Sequence, residues 1–264
     1  MALHLLDLPV EIVSAIIELL GYEFFAEDVS RLTVSKKWRT LVIDALRNLR
    51  LTRKLVRRPC ANKVLAHIKP TLLSLDLDLR GGSEIENSRI AFYFLHRHIA
   101  SPCPSLRRLR IRLGKNWAFA PMLQAINALL LSATDLLTLE IDTSHFKHHA
   151  VEVGCSNRRT RYSALRRNTC SFHLCETINR LLFASLRTFD CNLHFVCERL
   201  LAVPPGDSQA LLPNLQQVRV RSMGRVLDCH EKPSKRAIEV VLEDQMFALR
   251  RRVVDPERVR LSWS

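Results

Sequence analysis

Glycine is scarce in this sequence, with seven in 264 residues. Loops that cradle phosphate need clustered glycines so that backbone N–H groups can close on the oxygens. No such loop occurs, nor a G-x-S-x-G elbow or an H-E-x-x-H pair, and no spacing singles out a pair of carboxylates or histidines. The chain is therefore expected to perform no chemistry of its own. Tryptophan and tyrosine number three each, which leaves little surface for stacking bases. Eight cysteines, Cys60, Cys103, Cys155, Cys170, Cys175, Cys191, Cys197 and Cys229, contain no C-x-x-C pair, so the spacing of an ordinary zinc site is missing. The densest approach is Cys170, His173 and Cys175, with His145, His148 and Cys155 upstream. These thiols read as small hydrophobes, and no metal or cofactor is expected. No apolar run is long enough to span a bilayer. Asp7, Glu11 and Glu18 interrupt the apolar first twenty residues and no basic stretch precedes them, so they do not read as a signal peptide. A cytoplasmic or nuclear protein without a membrane partner is the expectation.

What is present is enough apolar residue for a core and an uneven charge. Hydrophobic residues make up 47% and charged residues 25%, an ordinary globular balance. The net charge is +14. Residues 1–50 hold six basic and seven acidic side chains, so the excess lies wholly in the remainder. That shift marks a module boundary near residue 50. Such a basic balance supplies a salt-dependent attraction for phosphate, but no recognised nucleic-acid module accompanies it. Nucleic acid is not the expected partner.

The segment P-V-E-I-V-S-A-I-I-E-L-L over residues 9–20 predicts a helix that Gly21 ends. Pro9 suits the first turn, and Asp7 complements its positive end. Glu11, Ser14, Ala15 and Glu18 fall on one narrow stripe; apolar residues cover the rest of the circumference. Glu27 and Asp28 fit the first turn of a second short helix from about Ala26, with Val29 and Leu32 facing inward. Val34, Trp38, Leu41, Val42 and Ala45 recur at helical spacing and predict a third, from about Ser35 to Arg47. Three short helices cannot bury this much apolar surface among themselves, so part of helix one, with the Trp38 edge, is expected to seek a partner.

Leu8-Pro9-x-Glu11-Ile12, followed by Ile16 and Leu19 and then by Leu32-x-Val34-Ser35-Lys36-Lys37-Trp38, resembles the F-box pattern. In that family the segment docks a Skp-type adaptor, which bridges to a cullin. The resemblance covers residues 1–48 and carries the docking role onto Leu8, Pro9, Ile12, Ile16, Leu19, Leu32, Val34 and Trp38. Ser35 stands where the family often has cysteine.

The remainder, residues 49–264, repeats a pattern. L-x-x-L-x-L recurs as Leu46/Leu49/Leu51, Leu72/Leu75/Leu77, Leu106/Leu109/Ile111, Leu136/Leu139/Ile141, Leu186/Phe189/Cys191 and Leu215/Val218/Val220, with a last echo in Val259/Leu261/Trp263. Each is a short stretch of period-two alternation, as a half-buried strand requires. Helix-like segments separate them at 61–68, 88–100, 121–131, 172–184 and 234–251. Strand, loop and helix recurring at about thirty residues resemble a leucine-rich-repeat array with the strands stacked in a parallel sheet. The resemblance is loose: the asparagine expected after the strand has only Asn192 as a good candidate, and the spacing stretches across an insertion near residues 145–170. The expected fold is thus α+β overall, a three-helix F-box followed by an irregular α/β repeat array. F-box followed by repeats is a pairing familiar in fungal F-box proteins. The resemblance implies the target-recognition subunit of a ubiquitin ligase, whose contribution to catalysis is proximity.

In such an array the residues between the strand leucines share one open face. They alternate in bands: Asp76, Asp78 and Arg80; then Arg108, Arg110 and Arg112; Glu140 and Asp142; Asp190 and Asn192; Arg219 and Arg221; Arg258 and Arg260. Arg108, Arg110, Arg112, Arg219, Arg221, Arg258 and Arg260 are the expected contacts for an unknown protein target, read by charge complementarity. A second arginine-dense stretch with interleaved Tyr162 lies at 155–168 and fits a loop.

Overall fold

A computed structural model describes residues 7–99, 102–114, 119–143, 174–196, 198–202, 212, 214–226 and 235–263. The insertion near 145–170, including Tyr162, His145, His148, Cys155 and Cys170, lies outside these residues, as does His173.

The helix α1 spans Val10–Glu27 and opens at Pro9, whose carbonyl accepts the N–H groups of Ile12 and Val13. The first helical run ends at Gly21, as its sequence predicts. That residue takes φ 67° and ψ 175°, a backbone state only glycine adopts without strain, and the chain turns there and resumes as helix to Glu27. Tyr22, Phe25 and Ala26 beyond the bend are buried. The expected second helix is a single 3-10 turn, Val29–Leu32, because the Asp28 side chain accepts from Ser30 N–H at 2.9 Å and fixes its start. Helix α2, Lys36–Ala45, is capped in the same way by Ser35, whose hydroxyl accepts from Trp38 N–H at 3.0 Å.

Seven strands follow: β1 (Asn48–Thr52), β2 (Ser74–Leu79), β3 (Arg108–Leu113), β4 (Thr138–Asp142), β5 (Thr188–Val196), β6 (Gln217–Val226) and β7 (Val259–Trp263). They pair in parallel, each with its neighbour in sequence, to form one sheet in the order β1 to β7. Between them lie the short α3 (Arg53–Val56), α4 (Ala61–Ile68), α5 (Glu84–Arg89) with a wider π-helical continuation Ile90–Ile99, α6 (Phe119–Ser132), α7 (Leu174–Ala184) and α8 (Lys235–Arg250).

The repeated leucines make the rungs. The first leucine of each unit, Leu46, Leu72, Leu106, Leu136, Leu186 and Leu215, is buried. The carbonyl of the next residue takes two N–H bonds from the following unit. Arg47 receives Leu73 and Ser74; Leu73 receives Arg107 and Arg108; Arg107 receives Leu137 and Thr138; Leu137 receives Arg187 and Thr188; Arg187 receives Gln216 and Gln217, all at 2.8–3.1 Å. This shared carbonyl sets the register before each strand begins. The turns after β2 and β3 then stack closely. A Cβ on Gly114 would lie 2.5 Å from Gly81 N, so that position requires glycine.

Alternate strand residues such as Leu75, Leu77 and Leu79 are buried against the helices, each contributing about 1.5–3 kcal/mol by leaving water. The residues between them face the other side, which stays open. A parallel sheet with one uncovered face is uncommon and demands a polar surface there, which the strands supply.

One apolar core runs from Val13 to Val259. The composition boundary near residue 50 is therefore not a packing boundary. Tyr22 Oη donates to the Ala61 carbonyl, Cys60 N–H to the Ala26 carbonyl at 3.0 Å, and Arg58 pairs with Glu23 and, at 3.2 Å, with Glu27. Burial pushes the Tyr22 phenol well above its ordinary range. The N-terminal helices are bolted to α4.

Candidate protein-docking site

Helix α1 sorts its apolar residues onto two sides. Val13 and Ile17 enter the core. Ile12, Ile16 and Leu19, spaced four and three residues apart, lie along a different side; Ile12 is 50% and Leu19 89% exposed, while Ile16 is half-buried. Leu20 flanks them and is also exposed; Val10, at the helix start on the side of Val13 and Ile17, is exposed as well. Over Val10–Leu20 charge is confined to the remaining arc, with Glu11 and Glu18. Pro9 is exposed and Leu8 half-buried at the start of the helix, and Val34, 67% exposed, precedes the α2 cap.

Two of the residues expected on this face are elsewhere. Leu32 is fully buried and Trp38 is 6% exposed, its indole N–H donating to the Arg31 carbonyl at 2.7 Å and its ring packed 6.3 Å from that of Phe25. A helix stripe at one spacing cannot tell an inward from an outward side, and these two fill the space between α1 and α2. They shape the face from beneath.

The open face of the sheet carries the arginine bands, but the bands are already paired. The register places Arg50, Asp76, Arg110, Glu140, Asp190, Arg219 and Arg260 on one row across the sheet. The next row holds Asp78, Arg112, Asp142, Asn192 and Arg221. Carboxylates fall between cations, and ion pairs close along and across the rows. Arg112 meets Asp76 at 2.8 Å and Asp78 at 3.3 Å; Arg50 meets Asp78 at 3.1 Å; Arg80 meets Asp78 at 2.9 Å. Arg110 meets Glu140 at 2.8 Å, and Asp190 takes both Arg219 at 3.4 Å and Arg221 at 2.9 Å. Hydrogen bonds from Arg80 and then Arg50, with the Arg112 charge beside them, outweigh burial and hold the Asp78 carboxyl at about 2.

The complementarity expected between this face and a partner is thus satisfied largely within the molecule. Arg108 is exposed and has no carboxylate partner among the described residues. Arg258 is not on the face: it belongs to the 3-10 turn Pro256–Arg258 before β7 and pairs with Asp255 at 2.8 Å. Arg260 is on the face at the β7 edge and donates from Nε to the Glu257 carbonyl.

No group of three or more histidine, cysteine or acidic side chains among the described residues could hold a metal. Cys103, Cys175 and Cys191 are buried; burial raises the Cys103 thiol to about 11 and that of Cys191 well above its ordinary value. No helix among the described residues is long and apolar enough to cross a membrane. Reading the sequence assigned no role to Arg57, Arg58, Arg89 and Tyr93, which the fold gathers around one cleft; the run Arg57-Arg58-Pro59 was the only signal for them, and its second wall lies about thirty residues on. A scan against models of known protein families gives no match to the chain, and a search of the curated proteins gives none either.

Proposed function

We propose that this chain is a non-catalytic F-box adaptor, docking a Skp-type protein through its N-terminal helices and holding a protein target on its repeat region for a cullin-based ubiquitin ligase. The observation that carries the reading is the exposed apolar side of α1, with Ile12 and Leu19 directed away from a core that Val13 and Ile17 already fill. A helix of this kind costs solubility unless something covers it. Ile12, Ile16 and Leu19, with Leu8, Pro9 and Val34, are among those the F-box resemblance assigns to the adaptor; Leu32 and Trp38, also assigned, lie buried beneath. The parallel seven-stranded sheet, one rung per L-x-x-L-x-L, supports an irregular leucine-rich-repeat array as the target-holding part. The tie between α1 and α4 gives such an adaptor a use: a rigid link fixes where the target sits relative to the ligase.

The alternative of nucleic-acid binding draws on the same basic charge. The pairing of Arg50, Arg110, Arg112, Arg219 and Arg221 with carboxylates weighs against it, because paired guanidiniums attract phosphate weakly. A scaffold that uses the Skp-type protein outside the ligase would show the same docking face. Co-expression with a Skp-type adaptor tests the reading: the wild-type chain is captured and Leu8→Ala/Pro9→Ala is captured less. Capture that is absent, or indifferent to that change, overturns it.

A further inference from the structure

A cleft of about 530 Å³ opens where the N-terminal helices hand over to the first repeat. One wall is the loop from α3 into α4, and the other is α5 with its wider continuation. The volume falls in the range of ordinary ligand pockets. Its floor is apolar: Val56, Ile90 and Phe94 are buried there. Its rim is cationic, with Arg57, Arg58 and Arg89, and the ring of Tyr93 stands beside them 70% exposed.

Among the described residues one carboxylate, Glu86, lines the cleft, and its charge is spent. Arg57 holds it at 2.6 Å and Arg53 at 2.9 Å, while Ser83 N–H donates to it at 3.2 Å from the cap of α5. Arg58 is turned to Glu23 and Glu27. Arg89 is exposed and meets no carboxylate among the described residues. The cleft therefore presents an unneutralised guanidinium, a second one held by a single acid, an aromatic wall and a greasy floor. Guanidinium forks match planar carboxylates, and Arg and Tyr are the side chains that most often carry binding energy at protein interfaces. A lone phosphate would leave the floor unused. An acidic peptide with a large apolar side chain uses both.

We propose that this cleft binds an acidic peptide segment of a partner protein, seating one large apolar side chain against Ile90 and Phe94 and pairing the flanking carboxylates with Arg89 and Arg57. The inference rests on the adaptor reading only in taking a protein as the occupant; its geometry is separate from the α1 face.

Fluorescence anisotropy on the full chain, with a labelled short peptide carrying glutamates on both sides of one phenylalanine, tests it. Saturable binding that weakens with salt is expected, and little binding of the same peptide with glutamines. Arg89→Glu should lower affinity roughly tenfold, and Tyr93→Ala should lower it severalfold. Glu86→Gln should raise affinity, because it frees Arg57 while glutamine still serves the α5 cap; a purely structural role for Glu86 predicts no gain. The proposal is overturned if the acidic and glutamine peptides bind alike, if neither binds, or if a single-stranded oligonucleotide binds as tightly as the peptide. The same chain carrying Leu19→Asp should keep peptide binding. A wild-type chain that binds the peptide but captures no Skp-type adaptor refutes the adaptor reading alone; one that captures the adaptor but binds no peptide refutes the cleft alone.

Discussion

Trp38 separates the part of the N-terminal module that supports a face from the part that is one. Its ring is 6% exposed, packs near Phe25, and donates its N–H to the Arg31 carbonyl. Trp38→Ala removes a large buried ring and should cost roughly 3–5 kcal/mol. Trp38→Phe keeps most of the apolar volume and strips the Arg31 carbonyl of its donor, a loss of roughly 1–2 kcal/mol. A domain has about 5–15 kcal/mol in all, so the alanine variant loses a large share of it. With a urea dependence of about 3 kcal/mol per molar, its midpoint should fall by about 1–1.7 M and that of the phenylalanine variant by about 0.3–0.7 M. Urea titrations followed by circular dichroism read both. A Trp38→Ala midpoint equal to wild type, in a chain that no longer captures a Skp-type adaptor, would refute the reasoning and return the ring to the docking face.

Other perturbations follow from the same structure. Arg112→Ala removes from Asp76 and Asp78 their cation on β3 and should cost roughly 2 kcal/mol, below the 3–5 of a fully buried pair because Arg50 and Arg80 remain. The exposed Arg110→Ala should cost under about 1 kcal/mol, and equal losses in urea melts would deny that Arg112 anchors the ladder. Asp78 has a carboxyl pKa of about 2 in the folded chain against about 3.9 unfolded. Its stabilising contribution, about 1 kcal/mol after allowing for solvent screening, is therefore present above pH 4 and lost as pH falls toward 2. A carboxyl NMR titration of Asp78 with a midpoint near 4 would contradict this. Gly21→Ala has room for its methyl group but must hold φ at 67°, which should cost roughly 1–3 kcal/mol and lower the melting temperature. An unchanged melting temperature would mean that the bend in α1 is not fixed.

The strands were legible because each L-x-x-L-x-L carries two signals at once, a leucine that ends the preceding turn and an alternation that only a half-buried strand needs. Helix α4 matches its sequence-based bounds, Ala61–Ile68, for a similar reason: its apolar residues Val64, Leu65 and Ile68 share one side. The pairing of the open-face arginines was not legible. Which acid meets Arg112 depends on the register between β2 and β3, and that register is set by the Leu73 carbonyl, a backbone contact with no side-chain signature. Gly21 ends the first run of α1 as its type predicts, and the second run to Glu27 escaped notice because nothing in a terminating glycine says that helix resumes directly after it. Leu32 and Trp38 were placed on the face because an amphipathic pattern gives a stripe and not its neighbour. The cleft escaped notice since residues as far apart as Arg57 and Arg89 come to line one cleft only once α4 has packed on the Ile90–Ile99 helix.

Ile12 and Leu19 decide the central claim. They are exposed and make no use of the core, so Ile12→Asp/Leu19→Asp should leave the unfolding free energy from urea titration within about 0.5 kcal/mol of wild type. Isothermal titration of the purified chain with a Skp-type adaptor should then show a loss of at least roughly 30-fold in affinity for the double variant, as expected when a central apolar contact is replaced by charge. Undiminished affinity in a stably folded double variant, or no adaptor binding by the wild-type chain, would contradict the account.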